Sequence, residues 1–317
     1  KWTELTEQER NEIADECLNN IVADYGNTVL KSSARNEYMI ERTRRILRRT
    51  VWALQKQLEQ GEFQPEGFEV TFGGGRIDRV DAMEDPDQNK VYVKVIDYKT
   101  GNTSFDLVYL YHGLQLQLMI YLDGALRVEQ KKYPDKEIVP AGVFYYNVKD
   151  PMIQEKIHAD VESVSDQMLK KLKMNGLVQA DDDVSFRIDN TLSSIPVSVN
   201  KDGSFSRRSS VASRKQFDAL GAYVRRNFIS DIALYIFIFC FLNLHVKSPT
   251  AITMVNHLFC HATVNTDVFT CDKACFFRAK KQYHIGNIHR ISDTMNRLLH
   301  CICSCIFNKV SIYPGEI

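Results

Sequence analysis

Residues 75–101 read GRIDRVDAMEDPDQNKVYVKVIDYKTG and contain the clearest strand pattern in the chain. Two runs, 76–82 and 91–98, alternate apolar and polar residues, which is typical of β-strands with one buried face. The Asp, Pro and Asn residues between them, at 85–89, form a turn sequence. A similar alternating run at 68–72 comes before three glycines. The stretch therefore predicts a three-strand meander.

Helical patterns surround this meander. Apolar residues recur at helical spacing in five stretches, at 4–23, 36–60, 106–133, 154–172 and 214–226. Another strand is predicted at 141–148, and a short hairpin at 195–205. Strands mixed with helices in this order predict an α/β or α+β core with a central mixed sheet.

Two carboxylates and a lysine lie on neighbouring strands of the meander. Asp97 and Lys99 are two residues apart and so point to the same face, and Asp78 joins them if the strands pair. Carboxylates in such proximity repel each other unless a cation lies between them, and oxygen ligands favour Mg²⁺ or Mn²⁺. We predict that Asp78, Asp97 and the carbonyl of Tyr98 bind this metal. Lys99 would hold a water nucleophile in place or stabilise transition-state charge.

A third element of the predicted site follows on the long helix. Gln117 and Tyr121 are four residues apart, which places them on one face of a helix just after the Lys99 loop. Both side chains can hydrogen-bond to a phosphate or pack on a sugar or base. Each of these motifs alone is more often an ordinary strand-end or boundary residue, but their combination in this order favours a functional site.

The three motifs together resemble a known enzyme family. Gly75–Asp78, Ile96–Gly101 and Gln117–Tyr121 are similar to the RecB-like branch of the PD-(D/E)xK nuclease superfamily. Four other segments resemble the C-terminal nuclease domain of the AddB-type subunit of ATP-dependent helicase–nucleases, namely Trp2–Leu5, Ser32–Asn36, Leu47–Thr50 and Tyr111–Gln117. The resemblance covers residues 1–226.

The resemblance implies a fold and an activity. The fold would be a restriction-endonuclease-like core, with a central mixed sheet flanked by helices. Asp78 and Asp97 would be the metal-binding residues, Lys99 the catalytic lysine, and Gln117 and Tyr121 the downstream motif. The chain would be a metal-dependent DNA exonuclease domain that hydrolyses single-stranded DNA during recombinational repair of double-strand breaks. Its implied partner is an AddA-type helicase–nuclease A subunit, and its implied location is the cytoplasm.

The chain departs from the family pattern in its upstream part. Family members carry a histidine on a helix before the first motif, whereas the first histidine here is His112. We expect that helix to lie before Lys1 and the chain to be a piece of a longer protein, so an inactive piece is one open alternative. Glu69 lies where relatives often carry a glutamate, and we regard it as a support residue.

Cysteine spacing also departs from the family pattern. The resemblance implies an iron–sulfur cluster held by one upstream cysteine and a closely spaced C-terminal set. Cys17 lies in a predicted helix, and the tail spacings at 271–275 and 301–305 fit neither this set nor a common zinc site. We expect no iron–sulfur cluster in this chain.

Composition changes abruptly near residue 227. Seven of the eight cysteines and six of the eight histidines follow it. We predict a nuclease domain at 1–227 and an anomalous tail at 228–317, which we hypothesise is either translated from a shifted reading frame or poorly ordered. The apolar run at 232–242 has about 11 residues, against roughly 20 needed to span a bilayer, so no membrane association is expected.

Basic side chains suggest where DNA would bind. Forty Lys and Arg residues balance forty Asp and Glu residues, so DNA must be held by a local patch. The candidate DNA-binding residues are a helical stripe and two strand residues, namely Arg42, Arg45, Arg49, Arg76 and Arg79. The stripe alternatively forms a solvated helix face that pairs with nearby glutamates.

Two other functions stay open from the sequence. One is a stand-alone RecB-like exonuclease, which sequence upstream of this chain would distinguish from a helicase–nuclease subunit. The other is a catalytically inactive DNA-binding or scaffold module that retains the fold. Cleavage that depends on Lys99 would exclude the scaffold.

Overall fold

A single mixed sheet lies at the centre of the protein. We describe the fold from a computed structural model, which covers residues 2–24, 33–72, 75–153 and 161–227. Six strands follow one another across the sheet in chain order: β1 (Gln64–Phe72), β2 (Gly75–Asp85), β3 (Lys90–Lys99), β4 (Glu137–Asn147), β5 (Asn175–Gln179) and β6 (Val211–Ala212). The β1–β2–β3 meander is antiparallel, as predicted. β3 and β4 are parallel, β4 and β5 antiparallel, and β5 and β6 parallel, which confirms the central mixed sheet.

Helices cover both faces of this sheet. They are α1 (Glu7–Asp24), α2 (Ala34–Glu59), α3 (Leu107–Tyr111), α4 (Gln117–Lys132), α5 (Val161–Lys171), α6 (Asp182–Ile188) and α7 (214–227). α1 and α2 share one apolar cluster with the face of β3 that carries Ile96 and Tyr98. α4 shares a second cluster with the opposite face, which carries Val93 and Val95. Alternation along β3 therefore gives each face its own layer of helices.

The first helix begins later than the sequence pattern predicts. Trp2–Glu4 form a 3-10 turn, and α1 starts at Glu7. The predicted capping box is present, because the Thr6 backbone N–H donates to Glu9 Oε2 at 2.8 Å and the Glu9 N–H donates to Thr6 Oγ1 at 3.3 Å. The cap satisfies two backbone donors and fixes the start of the helix.

The single helix predicted at 106–133 is wrong, because the chain forms two helices there. Gly113 has a φ of +76°, a left-handed conformation that stops α3. The Gln115 amide then donates to the Ser104 carbonyl at 2.9 Å and accepts from the Asp106 N–H at 3.0 Å, which ties the connecting loop to the segment after β3. α4 restarts at Gln117. The break therefore places Gln117 in the first turn of a helix, close to the end of β3.

Later elements differ more from the sequence prediction. The hairpin expected at 195–205 is reduced to one bridge between Val199 and Phe205, and β5 was not predicted. A Cβ atom on Gly176 in β5 would lie 1.9 Å from the Val143 carbonyl oxygen, so only glycine fits there. Residues 154–160 of the predicted helix and the tail at 228–317 lie outside the described residues. In the ranges that are described, no helix combines the length and apolarity needed to cross a membrane.

Candidate active site

The two predicted carboxylates lie side by side on β2 and β3. Arg79 pairs with Ile96 in the antiparallel register, and one further step places Asp78 opposite Asp97. Side chains on opposing residues of an antiparallel pair project from the same face. Asp78 Oδ2 accepts a hydrogen bond from the Tyr98 N–H at 2.8 Å, which holds it against β3. The Asp97 carboxylate is buried, with 2% of the residue exposed.

Lys99 connects this acidic pair to the helix. Its Nζ lies 3.0 Å from Asp97 Oδ2 and donates to Gln117 Oε1 at 2.8 Å. The ammonium also lies 5.5 Å from the centre of the Tyr145 ring. Gln117 Nε2 donates to Tyr121 Oη at 2.9 Å. Asp97, Lys99, Gln117 and Tyr121 therefore form one chain of polar contacts, and the i, i+4 spacing on α4 supplies its last link.

Tyr121 forms the inner end of this chain. Its ring packs edge-on against Phe72 of β1, with centroids 6.0 Å apart. Burial raises the pKa of the Tyr121 phenol well above its usual value, and the negative charges of Asp97 and Asp78 add to this effect. The phenol is therefore neutral at physiological pH, so it can both donate and accept hydrogen bonds beside the carboxylates.

Arg79 is not available to contact DNA, contrary to the prediction from sequence. The residue is 3% exposed and lies on the sheet face opposite Asp97. Its guanidinium forms two contacts with Asp81, at 2.6 and 2.8 Å, and donates to Tyr98 Oη at 3.4 Å. The strand twist and packing around Phe68, whose ring lies 5.9 Å from the guanidinium, enclose the side chain.

Arg79, Asp81 and Lys94 form a buried charge cluster directly behind the site. Lys94 Nζ lies 3.4 Å from Asp81 Oδ2, and all three residues are at most 4% exposed. Burial lowers the pKa of Arg79, but the negative charge of Asp81 outweighs this and the net shift is upward. For Lys94, burial is the larger influence and lowers the pKa. Sequence analysis missed this cluster, although the predicted hairpin pairs Asp81 with Lys94.

Arg76 and Glu69 lie at the entrance to the site. Arg76 Nη1 is 2.5 Å from Glu69 Oε2, and the Arg76 side chain is 55% exposed. The positive charge of Arg76 acts to lower the pKa of Tyr121, which shows that the guanidinium is close to the polar chain. Glu69 has a φ of +53°, an unusual conformation for a residue other than glycine. Glu69 therefore orients Arg76, and its role as a support residue stays a prediction.

The predicted basic stripe lies on α2 and reaches the same edge of the sheet. Arg42 and Arg45 are exposed. Arg49 lies 3.7 Å from Asp150, which follows the end of β4. That end is adjacent to Lys99, since the Val148 N–H donates to the Lys99 carbonyl at 2.7 Å. The stripe is therefore positioned where a strand leaving the site could meet it.

The donor set at the strand ends fits a hard divalent cation. Asp78 and Asp97 offer carboxylate oxygens on one face, and Tyr98 offers a carbonyl between Asp97 and Lys99. Mg²⁺ is usually bound through one or two carboxylates and keeps several waters, so two carboxylates suffice. Within the described parts of the chain, no group of three or more His, Cys, Asp or Glu residues is arranged to hold a metal.

Comparisons with known proteins agree with this geometry. A model of the PD-(D/E)XK nuclease superfamily matches residues 2–235. The chain is 44% identical over 245 residues to the B subunit of the ATP-dependent helicase/deoxyribonuclease of Lachnoclostridium phytofermentans, covering 71% of this chain and 21% of the relative. The corresponding protein of Alkaliphilus metalliredigens is 36% identical over 252 residues, covering 71% and 22%.

The match assigns the fold to one family. The chain spans about a fifth of the length of the curated relatives that it matches. Nucleases of the matched superfamily depend on a divalent metal, in agreement with the paired carboxylates on β2 and β3. On the match of the family model to residues 2–235, together with the mixed sheet that carries these residues, the chain belongs to the PD-(D/E)XK nuclease superfamily.

Proposed function

We propose that this chain is the nuclease domain of a helicase–nuclease and that it hydrolyses phosphodiester bonds of single-stranded DNA during repair of double-strand breaks. The observation that carries the proposal is the polar chain from Asp97 through Lys99 and Gln117 to Tyr121, with Asp78 beside it. The names of the relatives support the further proposal that the domain works in the cytoplasm with a helicase–nuclease A subunit.

Each residue of the site has a role that follows from its chemistry. Asp78 and Asp97 would hold Mg²⁺ or Mn²⁺ together with the Tyr98 carbonyl. A divalent cation bound there neutralises negative charge on the phosphate. Lys99 is a charged donor between Asp97 and Gln117, so it orients the attacking water and stabilises charge that develops on the phosphate. Gln117 and Tyr121 fix the ammonium and can bind the sugar–phosphate backbone.

A cleavage assay tests this proposal. The 317-residue chain is incubated with end-labelled single-stranded DNA in Mg²⁺, in Mn²⁺ and in EDTA. We expect shortened products with either metal and none in EDTA. DNA binding without cleavage under all three conditions would contradict the proposal and favour a scaffold module of the same fold.

The Gln117 amide should matter for rate more than for stability. We expect Gln117→Leu to lower kcat about tenfold, because it removes the hydrogen bonds that join Lys99 to Tyr121, and a hydrogen bond to a charged group contributes on this scale. Steady-state kinetics on single-stranded DNA measure the change. Gln130→Leu, near the other end of α4, is the matched control and should leave kcat unchanged. Equal losses in the two variants would contradict this role.

The arginine stripe should contribute to binding and not to chemistry. We expect the double substitution Arg42→Gln and Arg45→Gln to weaken binding of single-stranded DNA and to reduce the slope of log K against log salt by about 0.7 for each lost phosphate contact. Fluorescence anisotropy at several salt concentrations measures this slope. Arg208→Gln, an exposed arginine in the loop before β6, is the control. An unchanged slope in the double variant would assign the stripe to the protein surface.

A further inference from the structure

Exposed apolar side chains are concentrated on α3 and on the loop that follows it. Eight large apolar side chains are exposed in the described part of the chain, and five of them lie between residues 107 and 114: Leu107, Val108, Tyr109, Tyr111 and Leu114. Contiguous exposed apolar surface of this kind usually marks a binding site. The segment lies between the two halves of the polar chain, after Lys99 and before Gln117.

Tyr111 is the most exposed of these five, at 65%, and its ring is held in place. The Tyr223 ring of α7 stacks on it, with centroids 5.7 Å apart and an angle of 8° between the planes. The Tyr223 hydroxyl donates to the Tyr111 carbonyl at 2.6 Å, and the His112 ring packs edge-on at 5.3 Å. The guanidinium of Arg226 lies 6.0 Å from the Tyr223 ring. Tyr111 is therefore a preorganised aromatic surface with a cation close to it.

The connection to the active site is short. Tyr111 precedes Gln117 by six residues, so the two Cα atoms are at most about 22 Å apart even for a fully extended chain. The loop between them is tied to the segment after β3 through Gln115. A nucleic-acid strand that enters the site would thus pass within a few nucleotides of Tyr111.

We propose that Tyr111, backed by Tyr223, is a stacking platform for an unpaired base of single-stranded DNA next to the cleavage site. The proposal rests on the proposed nuclease function and specifies which form of substrate the site accepts. An exposed ring that is already fixed loses little conformational entropy when a base stacks on it. Arg226 supplies positive charge for the backbone of the same strand. Bases of a duplex already stack on one another within the helix, so the platform selects single strands.

A protein partner is the other class of ligand that apolar surface can serve. The aromatic centre of this patch, its cation and its position between Lys99 and Gln117 favour DNA. Leu107 separates the two cases, because it adds apolar area to the same segment but has no ring on which a base can stack.

Binding measurements on the full 317-residue chain test the platform. A fluorescein-labelled oligothymidylate is titrated in EDTA, so that no cleavage occurs, and compared with an abasic oligomer of equal length and charge. We expect Tyr111→Ala to weaken oligothymidylate binding about tenfold, as is typical for the loss of one base–aromatic stack. Binding of the abasic oligomer should not change. Tyr111→Phe and Leu107→Ala should bind oligothymidylate as the unmodified chain does.

The outcomes separate the platform from the nuclease proposal. Equal affinity of Tyr111→Ala and the unmodified chain for oligothymidylate would overturn the platform, even if the chain cleaves DNA. An equal loss for the abasic oligomer would also overturn it, because stacking requires a base. A ring-dependent loss in a chain that never cleaves DNA would support the platform and contradict the nuclease proposal.

Discussion

Replacing Lys99 by methionine is expected to lower the rate of phosphodiester cleavage by about 10²–10³-fold, the range found when one preorganised charged or polar donor is removed from an active site. Methionine keeps most of the length and apolar contact of the lysine stem but carries no charge. Initial rates on end-labelled single-stranded DNA at saturating Mg²⁺ measure the loss. Binding of the same DNA should change far less than the rate, since Lys99 is placed to act on the reacting phosphate.

The geometry explains why so large an effect is expected from one side chain. The Lys99 ammonium lies between Asp97 and Gln117, and only 13% of its side chain is exposed. A charge held this way requires little reorganisation when negative charge develops on the phosphate, and water screens it weakly. Methionine has neither the charge nor a donor, so it cannot replace this interaction.

A matched control shows whether the effect depends on position. Lys90 begins the same strand at its opposite end, where its Nζ donates to Gln88. Lys90→Met should leave the cleavage rate within about twofold of the original, because the residue lies far from the two carboxylates. If Lys99→Met still cleaves at more than a tenth of the original rate, the lysine is not central to the chemistry. Equal losses in both variants would point to a general defect in folding.

Local sequence patterns were sufficient to predict the position of the site residues. The two-residue spacing of Asp97 and Lys99 sends both side chains to one face of a strand, and the four-residue spacing of Gln117 and Tyr121 does the same on a helix. A turn sequence between two alternating runs specified the antiparallel pairing that brings Asp78 beside them. Each of these relations depends on residues that are close in the chain, so each could be derived without the fold. Their roles in catalysis stay predictions.

Burial of a charged residue depends on contacts that the local pattern does not contain. Arg79 follows Asp78 directly and was expected to contact phosphate, yet alternation sends it to the opposite face, beneath the α1 and α2 layer. Its partner Asp81 is on the same strand, but Lys94 comes from the neighbouring strand. Sequence spacing gave the face of Arg79 but not the depth of the layer that covers it. An arginine next to a catalytic aspartate therefore need not face the substrate.

The break between α3 and α4 was missed for a different reason. Leucines spaced by four over 106–133 are compatible with one continuous helix, and a single glycine inside such a pattern costs only about 1 kcal/mol. The decisive interactions are those of the Gln115 amide with Ser104 and Asp106, which are nine to eleven residues away. These contacts hold the loop in a conformation that a helix could not adopt. The exposed segment around Tyr111 exists only because of this break.

Replacing Asp81 by asparagine is expected to lower the free energy of unfolding by about 3–5 kcal/mol, the usual effect of removing one partner from a buried ion pair. The change leaves Arg79 and Lys94 as buried cations with no carboxylate between them. Each retains its desolvation penalty and loses the charge that offset it. Urea unfolding followed by circular dichroism measures the change. Asp123→Asn, which affects ion pairs with exposed Arg127 and Arg225, should cost less than about 1 kcal/mol.

A triple variant distinguishes charge from packing at this position. If the loss in Asp81→Asn comes from uncompensated charge, combining Arg79→Met, Asp81→Leu and Lys94→Met should recover most of it, because apolar side chains of similar volume can replace a buried ionic cluster at little cost. A loss in the triple variant at least as large as in Asp81→Asn would contradict this explanation. Stability within about 1 kcal/mol of the original chain for Asp81→Asn alone would show that water reaches the cluster and screens it. Because Arg79 donates to the hydroxyl of Tyr98, which lies between Asp97 and Lys99 in the chain, the cleavage rate of the refolded triple variant also shows how much the buried cluster contributes to the geometry of the active site.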